Sequence, residues 1–204
     1  LGASCNNGPS IGGNTNTDGS FFNGTIDEVA VWNITLTADK ISEHAGAKII
    51  DSSLYLNNGT RRFNSTSDFG RNFTDGKFSK ALLFDGVNDY VNVTSFPDGI
   101  FNKSYSVGLW MKSASTDAND RIFGKDSTDG TTEVVVILNA PSVGEVQFLT
   151  NNGGSSNNLD SNINNLNNDA WRYLTFVREN STTSTTTRIY VDGVLDASRT
   201  ETTA

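Results

Sequence analysis

The chain has 204 residues, a formal net charge of −8 and an isoelectric point near 4.5. That length suits one domain with a sizeable core, and the acidic balance excludes nucleic acid and anionic membrane surfaces as partners, because phosphate binding needs a basic face. No apolar stretch approaches the roughly 20 residues of a membrane span, so direct membrane insertion is excluded as well.

The segment starts at Leu1 with no charged-then-apolar leader, so any targeting signal is expected outside it. Cys5 is the single cysteine, which rules out an internal disulfide. It is read either as a small buried apolar group or as a bond to Cys5 of another copy. IDEVAVW, residues 26–32, predicts a strand with Val29 and Val31 inward and Glu28, Ala30 and Trp32 on the other face. TLTADKISEHA then predicts one short helix, with Thr37 as N-cap, Asp39 in the first turn, and Ile41 and Ala45 on one face. The lone His44 near its end is placed against the helix dipole or in solvent.

Further on, SYSVGLWMK alternates cleanly, with Tyr105, Val107, Leu109 and Met111 on one face. EVVVIL (Glu133–Leu138) and EVQFL (Glu145–Leu149) form two strands, joined through NAPSVG, whose Pro141 and Gly144 suit a hairpin loop. The Asn-rich stretch before Trp171 reads as a polar loop or weak hairpin from which Leu159, Ile163 and Leu166 tuck inward. WRYLTFV is apolar on both faces, as a strand in the middle of a sandwich must be. RIYVDGVLDA carries the strongest local signal, since Asp192-Gly193 tolerates the positive φ angles of a two-residue hairpin turn.

Asparagine, threonine and serine number 25, 23 and 22, and eight asparagines stand in the N-x-S/T acceptor pattern: Asn23, Asn33, Asn58, Asn64, Asn72, Asn92, Asn102 and Asn180. Composition alone produces about five or six such matches, so the excess is slight. If the chain is exported as a glycoprotein, Asn23, Asn58, Asn92 and Asn180 are the best acceptors, beside turns or on solvent faces.

Many short antiparallel strands separated by turns indicate an all-β, two-sheet sandwich. The segments KALLFDGVNDYVNV, YSVGLWMK, WRYLTFVR, RIYVDGVLDAS, IGGN and FFNGTIDEVAVWNITLTADKI resemble the signature strands of concanavalin A-like, laminin G-like jelly-roll domains. The resemblance implies an antiparallel jelly roll with one short helix. In that family the IGG and GTIDEV segments follow the YVDG hairpin, whereas here they lie at residues 11–32, ahead of the rest. Residues 1–46 would therefore be the closing strands and helix, and residues 47–204 the opening and central strands, completed by 1–46 of the same or a neighbouring copy. Circular permutation, one period of a tandem array, and completion by a neighbour all remain open. The aromatic-rich first strand of the family is shortened to AKII or absent, which would leave one sheet edge open.

The resemblance also implies sites. Asp85, Asn88 and Asp89 share a loop, and Asp27 lies near it in the family fold, an oxygen-rich set expected to hold Ca2+. The competing reading is a turn whose Asp and Asn side chains bond their own backbone. Trp32, Trp110 and Trp171 are the candidates for an exposed glycan platform, against the alternative that they fill the core. Catalysis is not expected. Asp27 and Glu28 are adjacent and point to opposite faces, so they cannot flank one scissile bond. No nucleophile elbow or phosphate loop is present.

The expected function is a non-catalytic extracellular structural or adhesive module, a repeating unit of a cell-surface filament assembled head to tail with other copies of itself. A carbohydrate-binding, lectin-like module is the second expectation.

Overall fold

The computed structural model describes residues 10–13, 21–38, 41, 60–62, 73–78, 80–93, 100–125, 132–152 and 156–202. Among them run fourteen strands: β1 (Ser10–Ile11), β2 (Asn23–Trp32), β3 (Thr60–Arg62), β4 (Phe73–Asp75), β5 (Lys80–Asp85), β6 (Tyr90–Asn92), β7 (Tyr105–Lys112), β8 (Asp120–Lys125), β9 (Thr132–Leu138), β10 (Val146–Asn152), β11 (Ser156–Asp160), β12 (Arg172–Asn180), β13 (Ser184–Val191) and β14 (Val194–Thr202). A single 3-10 turn, Ile100–Asn102, precedes β7. The strands form two antiparallel seven-stranded sheets, β11-β10-β9-β8-β1-β6-β3 and β14-β13-β12-β7-β2-β5-β4. This is a jelly-roll sandwich.

The alternation in the sequence decides which side chains meet between the sheets. Tyr105, Val107, Leu109 and Met111 of β7 are all fully buried in the central cluster with Leu174 and Phe176 of β12. Facing them are Val134, Val136 and Leu138 of β9 and Phe148 of β10. Three side chains from the Asn-rich stretch join this core as expected: Leu159 and Leu166 are buried in it, and Ile163 packs against it. The Asp192-Gly193 turn has φ of 52 and 83, the left-handed pair that closes a two-residue hairpin.

Strands β1 and β2 lie inside the sheets of their own chain. β1 pairs with β6 and β8, and β2 pairs with β5 and β7. The register of β2 on β7 shifts between Asp27 and Ala30, so one residue bulges. Val29 within the bulge and Val31 after it pack on the central core, and Trp32 turns to the outside. Of the expected helix, Ala38 and Ile41 have helical backbone, and Ile41 N–H donates to the Thr37 carbonyl at 3.0 Å, the bond an N-cap residue accepts. Its remainder, with His44, lies outside the described residues, as do Cys5 and the AKII segment. Leu36 and Ile41 cross the outer face of the second sheet and cover Val177 and Tyr190.

At one side of the sandwich the two edge strands are tied together. The Asn162 backbone N–H donates to the Asp196 carboxylate at 2.7 Å, and its side-chain amide to the Asp196 carbonyl. Arg199 donates to the Asn158 carbonyl at 3.0 Å. Polar side chains thus occupy backbone acceptors of β14 and β11, a standard protection against edge-to-edge pairing.

At one end, the Asn139 amide joins two loops by donating to the Ser115 and Asp117 carbonyls and to the Asp120 carboxylate. Burial pushes the Asp120 carboxyl from 3.8 up to about 6; a Ser115 hydrogen bond opposes the rise, the Asp117 charge adds to it, and the Asn139 bond opposes it. The folded state therefore holds this proton more tightly than the unfolded chain. Its contribution to stability is full below pH 3.8 and is lost as pH rises through about 6. Asp120→Asn is expected to flatten that slope and to raise stability at neutral pH by about 1–2 kcal/mol. Urea midpoints of both proteins at acid and neutral pH measure it. An unchanged slope in the variant would show that Asp120 is not its source.

Candidate functional site

The outer face of the second sheet gathers aromatic side chains around one glycine. Odd positions of β7 point into the core, so Ser106, Gly108, Trp110 and Lys112 point out. In register, Trp110 stands opposite Tyr173 of β12 and Asp27 of β2. Gly108 has no side chain, and the space above it is taken from two directions. A Cβ there would lie 2.7 Å from the Tyr173 hydroxyl and 3.0 Å from the Trp32 ring. Gly108 is therefore what lets Trp32 and Tyr173 close over the centre of the sheet. The Trp110 and Tyr173 rings lie 5.3 Å apart.

Two of the three expected tryptophans are thus brought to one surface. Trp32 is half-buried there, Trp110 is 5% exposed, and Trp171 stands half-buried just before β12. Trp110 is covered by the turn between β4 and β5. Phe78 packs edge-on at 5.8 Å, and the Lys77 ammonium sits 4.7 Å above the ring. The indole Nε1–H is buried without an acceptor. Burial pushes the Tyr173 hydroxyl up to about 12, so it stays a neutral donor and acceptor at physiological pH. Tyr173 could have been found from the period of two along β12. Lys77 and Phe78 have no local signal, because their position depends on how β4 and β5 meet β2.

The four expected cation ligands separate into two places. Asp85 Oδ1 accepts the Val87 and Asn88 N–H groups at 2.8 and 3.4 Å, and Asp89 Oδ2 accepts the Asp85 N–H at 3.2 Å. Asn88 Oδ1 is buried without a donor. Asp27 is elsewhere. Asp85 pairs with Asn23, so Asp27 lies four residues further along β2, about 13 Å away at strand spacing. Its Oδ2 accepts the Phe78 N–H at 3.3 Å. Among the described residues no three His, Cys, Asp or Glu side chains converge as a metal site. The Asp85 turn is held by its own side-chain-to-backbone bonds, the pattern of an Asx turn.

The sequons divide as well. Asn58, Asn64 and Asn72 lie outside the described residues, while Asn23, Asn33 and Asn102 are exposed. Asn92 is not on a solvent face, contrary to expectation. It sits in β6 between Ser10 of β1 and Thr60 of β3, only 7% exposed. The Asn180 amide is engaged too, donating to the Asn102 carbonyl at 3.3 Å and accepting from Thr185 at 3.0 Å. In protein secreted from a glycosylating host, peptide mapping is expected to find sugar at Asn23, Asn33 and Asn102 and bare Asn92. Sugar on Asn92 in folded protein would contradict its burial.

Two seven-stranded antiparallel sheets around one core define a jelly-roll sandwich domain. A laminin G model of the concanavalin A-like lectin/glucanases superfamily matches residues 2–42 and 85–204, and the chain belongs to this family. No curated protein and no solved structure matches the chain. Laminin G-like domains are typically extracellular and generally non-catalytic. Among the described residues no helix is long and apolar enough to cross a membrane.

Proposed function

We propose that the chain is a non-catalytic extracellular adhesive module whose ligands are glycans and whose binding face is the outer surface of the second sheet. The observation that carries this reading is the cluster of Trp32, Trp110 and Tyr173 around Gly108. Sugar rings present apolar C–H faces that stack on aromatic rings, and hydroxyls that need a few placed polar groups. Trp32 is half-exposed on this rigid β scaffold, while Trp110 and Tyr173 are 5% and 1% exposed and would make such contacts only once uncovered. Affinity electrophoresis through mannan, galactan and dextran gels tests it. Retardation by at least one polysaccharide is expected, and free migration through all three and through a wider glycan array would overturn the reading.

A second reading is head-to-tail assembly with other copies: β1 and β2 fill central places in the sheets of their own chain, and the same places could be filled by a neighbour's strands. Those strands precede the others in sequence, and residues 33–59 separate β2 from β3. Exchange of β1 and β2 between neighbours would keep every strand pairing and propagate as a heterologous contact. Light scattering across a concentration series is expected to show growing assemblies. A monomer at all concentrations would reject exchange and leave the glycan reading intact.

A further inference from the structure

We infer that the turn Gly76–Phe78 is a latch over a glycan subsite centred on Trp110. This deepens the glycan-binding reading and rests on it. Trp110 points out of the sandwich, yet it is only 5% exposed, because Lys77 and Phe78 lie on it. The cover itself faces solvent: Lys77 is exposed and Phe78 is 38% exposed. A small turn thus shields a large aromatic surface that belongs to the sheet.

The turn is closed at its base by the Asp75–Lys80 strand pair, and beyond that base three contacts among the described residues hold it down, each of which can be exchanged for a ligand contact. One is the 3.3 Å hydrogen bond from Phe78 N–H to Asp27 Oδ2. The turn passes so close to this carboxylate that a Cβ on Gly76 would lie 2.5 Å from it, so only glycine lets the backbone dock there. The others are the Lys77 cation above the indole and the edge of Phe78 against it. The closed state also carries a defect, for Trp110 Nε1–H is buried with no acceptor.

Lifting the turn would uncover three groups at once: the indole face beside Tyr173, the free Nε1–H donor and the released Asp27 carboxylate. A flat apolar surface with one donor and one charged acceptor at its margin matches a pyranose ring, which stacks through its C–H face while its hydroxyls accept and donate. A purely apolar ligand would leave both polar groups unpaired. A phosphorylated or sulfated one would meet Asp27 as a like charge.

The test uses the full chain and the double variant Lys77→Ala, Phe78→Ala, which removes only exposed side chains of the turn. Trp110→Phe in each background isolates the Trp110 signal. Acrylamide quenching is expected to rise in the double variant and to return to baseline once Trp110 is replaced. If the wild-type site is open about a tenth of the time, polysaccharide binding should tighten about tenfold in the double variant. The gain should vanish with Trp110→Phe. Unchanged quenching overturns the latch. Exposure of Trp110 without tighter binding, where wild type binds, overturns the subsite and leaves the glycan reading standing. Exposure with no polysaccharide binding by either protein overturns both.

Discussion

Replacing Phe148 by alanine is expected to cost about 3–5 kcal/mol. Phe148 comes from β10 of the first sheet and is fully buried. Its ring lies 6.4 Å from Tyr105 and 5.4 Å from Phe176, both on the second sheet. The side chain therefore joins the two layers at the middle of the core. Its removal deletes transfer energy and aromatic contacts, and leaves a cavity that sheets pinned by hydrogen bonds cannot collapse to fill. Urea unfolding reads the loss directly. A change below about 1 kcal/mol would mean that the sheets are free to close, against the close packing described here.

Arg178→Met is expected to move stability the other way, by about 1–3 kcal/mol in favour of the variant. The strand period that turns Leu174 and Phe176 inward turns Arg178 inward too, and it is 1% exposed. One nitrogen, Nη1, donates to the Phe101 carbonyl at 2.9 Å, while Nε and Nη2 are buried without acceptors. Burial pulls the guanidinium below its ordinary value and pushes the facing Tyr105 hydroxyl well above its own. Methionine retains much of the apolar stem and removes a charge that has given up hydration for one hydrogen bond. The urea midpoint of the variant should rise. A fall of more than about 1 kcal/mol would show that the protein compensates the cation after all.

Much of the sandwich was legible in the chain because strand structure is written with a period of two. SYSVGLWMK assigned its own inward face, and Asp192-Gly193 marked its own turn, since both depend on neighbours within a few residues. Arg178 obeyed the same period, but its cost appears only when the opposite sheet closes over it. The Trp110 face was half legible. A tryptophan on the outward side of a strand is visible in sequence, whereas its cover is not.

The sequence by itself determined many of the strands, their inward faces and the two-sheet class, because alternation and turn chemistry act over short distances; the jelly-roll class and the rotated order of its motifs came from the family resemblance. Only the tertiary structure decided which outward positions are solvent. Asn92 is buried because β1, from the far end of the chain, lies beside it as β3 does on the other side. Asp27 serves the Phe78 turn rather than the Asp85 loop because antiparallel register puts it at the other end of β5. Pairing register between strands some 50 residues apart is a sum of many weak side-chain and backbone contacts, and no short stretch of the chain contains it.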